Sequence, residues 1–136
     1  MAVTKGNTVG KGWFSIDFVG VAATTGGAIA AVLSPEGADI LVVDAILYFR
    51  ASSTGSANIT VGLGASATTE YTDMMTATAA NSAAGKFYTA RAVSASAQTQ
   101  ITAPGVWLST EYLTITGSAT TVGMTGTIWV EYLRLD

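Results

Sequence analysis

The sequence contains no cysteine and no histidine. Without cysteine no disulfide can staple the fold. Without either residue the commonest zinc ligands are missing, and so are the Ser-His-Asp and Cys-His arrangements of nucleophilic catalysis. Charge is scarce as well: 11% of residues are charged, against about 25% in an ordinary soluble domain. A formal net charge of −3, with six basic residues and no basic run, argues against nucleic acid held through its phosphates and against an anionic membrane surface. No run approaches the roughly 20 consecutive apolar residues of a membrane-spanning helix, and the N-terminal MAVTKGNTVGKGW lacks the apolar block of a signal peptide. The expectation is a soluble protein made inside a cell and exported, if at all, by other means such as lysis.

What is there is a chain of 136 residues, 49% hydrophobic and rich in Gly, Ala, Ser and Thr. That suffices for one good-sized core and is most economically one domain. So little charge leaves a free monomer poorly protected against association, so part of the surface is expected to pack against other copies. The organising stretch is Ile40–Ala51, ILVVDAILYFRA, entered from the turn-like Ser34-Pro35-Glu36-Gly37 and dense in β-formers. With period two, Leu41, Val43, Ala45, Leu47, Phe49 and Ala51 form an apolar face predicted to lie in the core. Ile40, Val42, Asp44, Ile46, Tyr48 and Arg50 form a mixed face, too apolar for free solvation, that is expected to meet another layer or subunit.

Residues 1–12, with three glycines and two lysines, read as a flexible N-terminal arm, and residues 13–136 as a single sandwich domain. Residues 13–22 alternate, with Phe14, Ile16 and Phe18 on one side and Trp13, Ser15, Asp17 and Val19 on the other. Residues 28–34 form a small-residue strand. After a loop at 52–56, residues 57–64 alternate Ala57, Ile59, Val61 and Leu63 against Asn58, Thr60, Gly62 and Gly64, which favours antiparallel pairing with the organising strand. Residues 71–80 carry the only helical signal, a turn or two with Tyr71, Met74 and Met75 on one face and Thr68 as its cap. Residues 86–92 read as a short strand, 99–103 as a short edge strand ended by Pro104-Gly105, and 111–116 as Glu111, Leu113 and Ile115 against Tyr112, Thr114 and Thr116. The last strand, 126–135, sets Ile128, Val130 and Tyr132 against Thr127, Trp129, Glu131, Leu133 and Leu135. The prediction is an all-β fold, an antiparallel β-sandwich of about eight strands with one short helical turn; an up-and-down barrel is the alternative.

The search for chemistry is short. Glu70 and Asp73 would share one face of a helical turn, where a solvated helix start is the commoner arrangement than an acid/base couple or a weak calcium site. Gly62-Leu63-Gly64 lacks the lysine and the strand-to-helix context of a phosphate loop. No enzyme, metal or cofactor is expected. Trp107 and Tyr112 are a candidate aromatic platform for a sugar, although core and subunit packing are the commoner uses of such rings. Ile46, Tyr48, Trp129, Glu131 and Leu133 are the candidate subunit interface: the four uncharged residues stand where a lone sandwich would want charges, and Glu131 sits between Trp129 and Leu133 on an otherwise apolar face. A homotrimer is the expected assembly.

One resemblance bears on function. Gly105-Val106-Trp107, Glu111-Tyr112-Leu113-Thr114-Ile115-Thr116 and Gly126-Thr127-Ile128-Trp129-Val130-Glu131-Tyr132 resemble the C-terminal half of small auxiliary head proteins of tailed bacteriophages, the decoration, cement and head-fibre base proteins. Ile46-Leu47-Tyr48-Phe49-Arg50 and Ala57-Asn58-Ile59-Thr60-Val61-Gly62-Leu63-Gly64 resemble their middle, so that the likeness covers roughly residues 28–134. It implies a jelly-roll-like fold, self-association as a trimer or other small ring on the outer surface of a capsid, the major capsid protein as partner, and no catalysis. Both ends are short, which speaks against a long projecting fibre. On this reading the arm, with Lys5 and Lys11 ahead of Trp13, is the expected capsid attachment. A carbohydrate- or host-surface-binding module of a virion is the alternative function.

Overall fold

A computed structural model describes residues 11–22, 27–89 and 105–135. Nine strands run through them: β1 (Lys11–Val19), β2 (Gly27–Leu33), β3 (Ile40–Ala51), β4 (Asn58–Gly64), β5 (Met75–Ala79), β6 (Phe87–Thr89), β7 (Val106–Trp107), β8 (Tyr112–Gly117) and β9 (Thr125–Arg134). The first sheet is ordered β1-β9-β3-β6, with β7 also pairing with β3, and the second is ordered β2-β8-β4-β5. Every strand pair is antiparallel. β6 pairs with Ile46–Tyr48 and β7 with Ile40 and Leu41, so together they act as one interrupted edge strand along β3.

The chain visits the sheets in the order first, second, first, second twice, first twice, second, first. With β6 and β7 taken as one edge, that alternation is the jelly roll, an arrangement built from two Greek keys. The expected all-β sandwich is therefore the observed fold. Its core joins side chains of both sheets, among them Phe18, Ile40, Leu47, Phe49, Trp107, Ile128 and Val130 of the first and Ile59, Val61, Leu63, Leu113 and Ile115 of the second. The alternations read for β1, β4, β8 and β9 place the inward side chains as expected.

Three expectations are corrected. β4 does not pair with β3: it crosses to the second sheet and lies between β8 and β5, while β3 pairs with β9, β6 and β7. In β3 the pairing with β9 shifts between Val42 and Asp44, so Val43 is a bulge residue. An extra residue reverses the phase of a strand. Ahead of the bulge Ile40 and Val42 are buried while Leu41 is half-buried; beyond it Ala45, Leu47 and Phe49 are buried as predicted, and Val43 itself is exposed. Leu41 and Val43 thus leave the predicted core face. Residues 71–80 are extended rather than helical: Met75–Ala79 is β5, and the single-turn 3-10 helices lie at Pro35–Gly37 and Ala80–Ser82. The threonine-rich sequence and the free hydrogen-bonding edge of β4 outweigh the spacing of Tyr71, Met74 and Met75. Within the predicted arm, Lys11 and Gly12 already belong to β1; residues 1–10 and the predicted edge strand at 99–103 lie outside the described residues.

Candidate functional site

The two sheets treat their outer faces differently, and the difference begins with glycine. On β4, Gly62 and Gly64 alternate with the core residues Val61 and Leu63 and face outward. A Cβ on Gly62 would lie 2.6 Å from backbone and side-chain carbons of Tyr71, and one on Gly64 would enter the Tyr71 ring. The loop between β4 and β5 therefore lies flat on its own sheet, as only glycine permits. Asp73 Oδ1 accepts the Leu63 N–H at 2.8 Å, and the Tyr71 hydroxyl accepts the Ser66 N–H at 3.1 Å, which fixes this strap. Thr60, Thr114 and Thr116, on the same face, are buried.

The first sheet carries no such strap among the described residues. Register places its outward side chains in rows across the strands. Asp17 of β1, Thr127 of β9, Tyr48 of β3 and Phe87 of β6 form one row. Ser15, Trp129 and Ile46 form the next, then Trp13, Glu131 and Asp44, then Leu133, Leu41 and Val106. Trp13, Ile46, Phe87, Val106 and Leu133 are exposed, and Tyr48, Trp129 and Leu41 are half-buried. The result is an aromatic and aliphatic field with polar groups set into it. In the first row the Thr127 hydroxyl donates to Asp17, whose carboxylate also lies 3.8 Å from Arg50 Nη2. In the third row two carboxylates stand directly opposite each other, an arrangement that needs compensation. Asp44 is buried and accepts the Ala45 N–H at 2.9 Å, and Asp44, Glu131 and Arg134 are each engaged by a partner.

All five candidate interface residues, Ile46, Tyr48, Trp129, Glu131 and Leu133, thus fall on this one face, with Ile46 directly opposite Trp129. Trp13 joins them; Lys11 opens β1 in register with Leu133, and Lys5 lies outside the described residues. Sequence reasoning missed Phe87, Val106 and Leu41. Phe87 was legible as the side chain alternating against Tyr88, whereas Leu41 turns outward only because of the bulge.

The aromatic platform does not form. Trp107 is wholly buried on the inner side of the first sheet, its ring tilted against Phe14 with centroids 5.6 Å apart and its Nε1–H donating to the Glu111 carbonyl at 2.9 Å. Tyr112 is half-buried on β8 of the other sheet, so the two rings share no face. Glu70 and Asp73 sit in the strap rather than on a helix, with Asp73 already holding the Leu63 N–H. No group of three or more potential metal-ligating side chains gathers among the described residues. Comparison with protein-family models, curated proteins and solved structures finds no match.

Proposed function

We propose that this chain is a structural virion protein that associates with itself through the outer face of its first sheet and decorates or cements the outer surface of a phage capsid, with the major capsid protein as its second partner. The observation that carries the reading is the field of exposed Trp13, Ile46, Phe87 and Leu133 around half-buried Trp129, on a sheet that no strap crosses among the described residues while the other sheet is strapped by its own loop. An apolar, aromatic centre with charged groups around it is the composition of a protein–protein contact. The phage assignment rests on the resemblance of residues 28–134 to auxiliary head proteins, and a homotrimer is the assembly proposed.

The test has two arms. Native mass measurement at tens of micromolar should give an oligomer for the unaltered protein and a smaller species for Trp129→Glu, with unchanged circular dichroism. The unaltered protein should add stoichiometrically to capsids and raise their thermal stability. A monomer throughout would remove self-association, and failure to bind capsids would remove the virion assignment. A carbohydrate-binding module is the second reading, favoured by Trp13 and Trp129, which are diagonal neighbours on this face; retention on a glycan array, lost in Trp129→Ala, would select it.

A further inference from the structure

Sheet edges are where folded β-proteins defend themselves, with short strands, bulges, prolines and charges. Three of the edges here carry such defences. β2 is broken by a register shift between Ala28 and Ala30, the pairing of β5 with β4 shifts between Ile59 and Val61, and β6 and β7 are three and two residues long. β1 differs. It pairs with β9 over nine consecutive residues, from Lys11 opposite Leu133 to Val19 opposite Thr125, with no shift and no proline, and among the described residues nothing pairs with its other side.

The same strand bears the two most exposed large apolar side chains among the described residues, Trp13 at 70% and Val19 at 66%. Both point outward, at the two ends of the strand. We infer that β1 pairs antiparallel with β1 of a second copy about a two-fold axis through Ile16, extending the first sheet across both molecules. Opposed residues must lie on the same side of the joined sheet, which limits the alternatives to registers that match outward with outward side chains. With the axis at Ile16, Trp13 of each copy packs on Val19 of the other. Ser15 meets Asp17, a hydroxyl donor opposite a carboxylate, and the inward Phe14 meets Phe18. Moving the axis one residue toward Ser15 sets Trp13 against Asp17 and Val19 against Lys11; moving it one residue toward Asp17 sets Val19 against Ser15 and carries Trp13 past the end of the partner's β1. Among these registers, only the axis at Ile16 sets both exposed apolar residues against an apolar residue of the partner's β1, and it does so twice by symmetry.

This contact rests on the reading that the chain associates with itself, but uses an edge instead of the sheet face; being two-fold, it joins copies of neighbouring trimers and does not build the trimer, and the two contacts fail separately. Trp13→Lys and Val19→Glu each place a charge against an apolar partner, and each should weaken the two-fold association at least roughly tenfold in sedimentation or native mass measurement. The double variant sets opposite charges face to face at both ends and should restore it. Retained association in both single variants, or a double variant weaker than either, overturns the register. If Trp129→Glu alone dissociates the protein, the face contact stands and the edge contact falls; if only the β1 variants do, the reverse holds. Hydrogen exchange on the unaltered protein needs no variant to fold: β1 amides should exchange more slowly as concentration rises, and exchange independent of concentration overturns the contact.

Discussion

The two sheets of this jelly roll share one core yet solve the problem of their outer faces in opposite ways. The second is built on β4 and β8 from Gly62, Gly64, Thr60, Thr114 and Thr116, and small outward residues let the chain lay its own strap, Tyr71 with Asp73, onto the sheet. The first keeps large outward residues on β1, β3, β6 and β9 and carries no strap among the described residues. A sheet that closes over itself is finished as a monomer. One that leaves Trp13, Ile46, Phe87 and Leu133 exposed has apolar surface still to bury, and a second molecule is what can bury it. Outward residue size is therefore the variable that separates the self-sufficient layer from the associating one.

The sharpest contrast can be drawn within the first sheet, between its two sides. Trp107→Ala empties a wholly buried site beneath Phe14, and a large-to-small change of this kind costs about 3–5 kcal/mol of stability. Trp129→Ala, half-buried on the outer side, should leave thermal melting of the monomer far less changed while weakening the oligomer. Chemical denaturation set beside sedimentation separates the two effects. Equal loss of stability in both variants would mean that the outer face is already packed within one molecule.

On the second sheet the corresponding test is Gly62→Ala. The added methyl meets the Tyr71 backbone, which cannot swing aside as a side-chain tip can, so the strap must lift; overpacking of this sort costs about 1–3 kcal/mol. Loss of the Leu63–Asp73 hydrogen bond should follow, seen as faster exchange of the Leu63 amide. Exposure of the underlying threonines would turn the closed sheet into an open one. A variant that then associates where the parent's second sheet did not would support strap removal as the cause.

These contrasts also show what was legible in the sequence. Strict alternation sorted the side chains of β1, β4, β8 and β9 into the two faces the structure gives them, because an unbroken strand has a period of two. It failed in β3 at Val43, since an inserted residue is set by how two strands meet and leaves no mark in the composition of either. The strap was misread as a helix because Tyr71, Met74 and Met75 are buried or half-buried for two unrelated reasons, the ring lying on Gly64 and the methionines entering the core. Gly62-Leu63-Gly64 held the needed signal, since glycine repeated on one face of a strand marks close approach by another segment. The clustering of Ile46, Tyr48, Trp129, Glu131 and Leu133 followed from polarity alone. The failure of the Trp107–Tyr112 platform did not, because it depends on strand order, and neighbours in sequence here lie in different sheets.

Alkali should destabilise the first sheet through two of its tyrosines. Burial raises the phenol of Tyr88 on β6 above its ordinary value of 10.0. The Tyr132 phenol on β9 is also raised, by burial first and then by the Glu36 carboxylate, which accepts its hydrogen bond. In both, the fold favours the neutral form. Their contribution is fully present below pH 10 or so, where the unfolded phenol is still protonated, and is lost as pH rises from there through the folded value. Melting temperature should therefore fall above that point, and Tyr88→Phe should flatten the fall. An unchanged slope in the variant would place the sensitivity elsewhere.

The smallest effect expected on the monomer comes from the polar row beside the apolar field. Arg50 and Asp17 are 3.8 Å apart with both side chains largely in water, and exposed pairs of this kind contribute roughly 0–1 kcal/mol. Arg50→Ala should therefore leave monomer stability close to unchanged at any ionic strength. Association is another matter if the first sheet is the contact. A second copy would exclude water from the row, remove much of the screening and make the Asp17 charge depend on Arg50 for compensation. The variant should then associate more weakly than the parent, and the gap should narrow as salt rises. An Arg50→Ala protein with parental association at every salt concentration would put this row outside the contact and confine it to the apolar rows between Ile46 and Leu133.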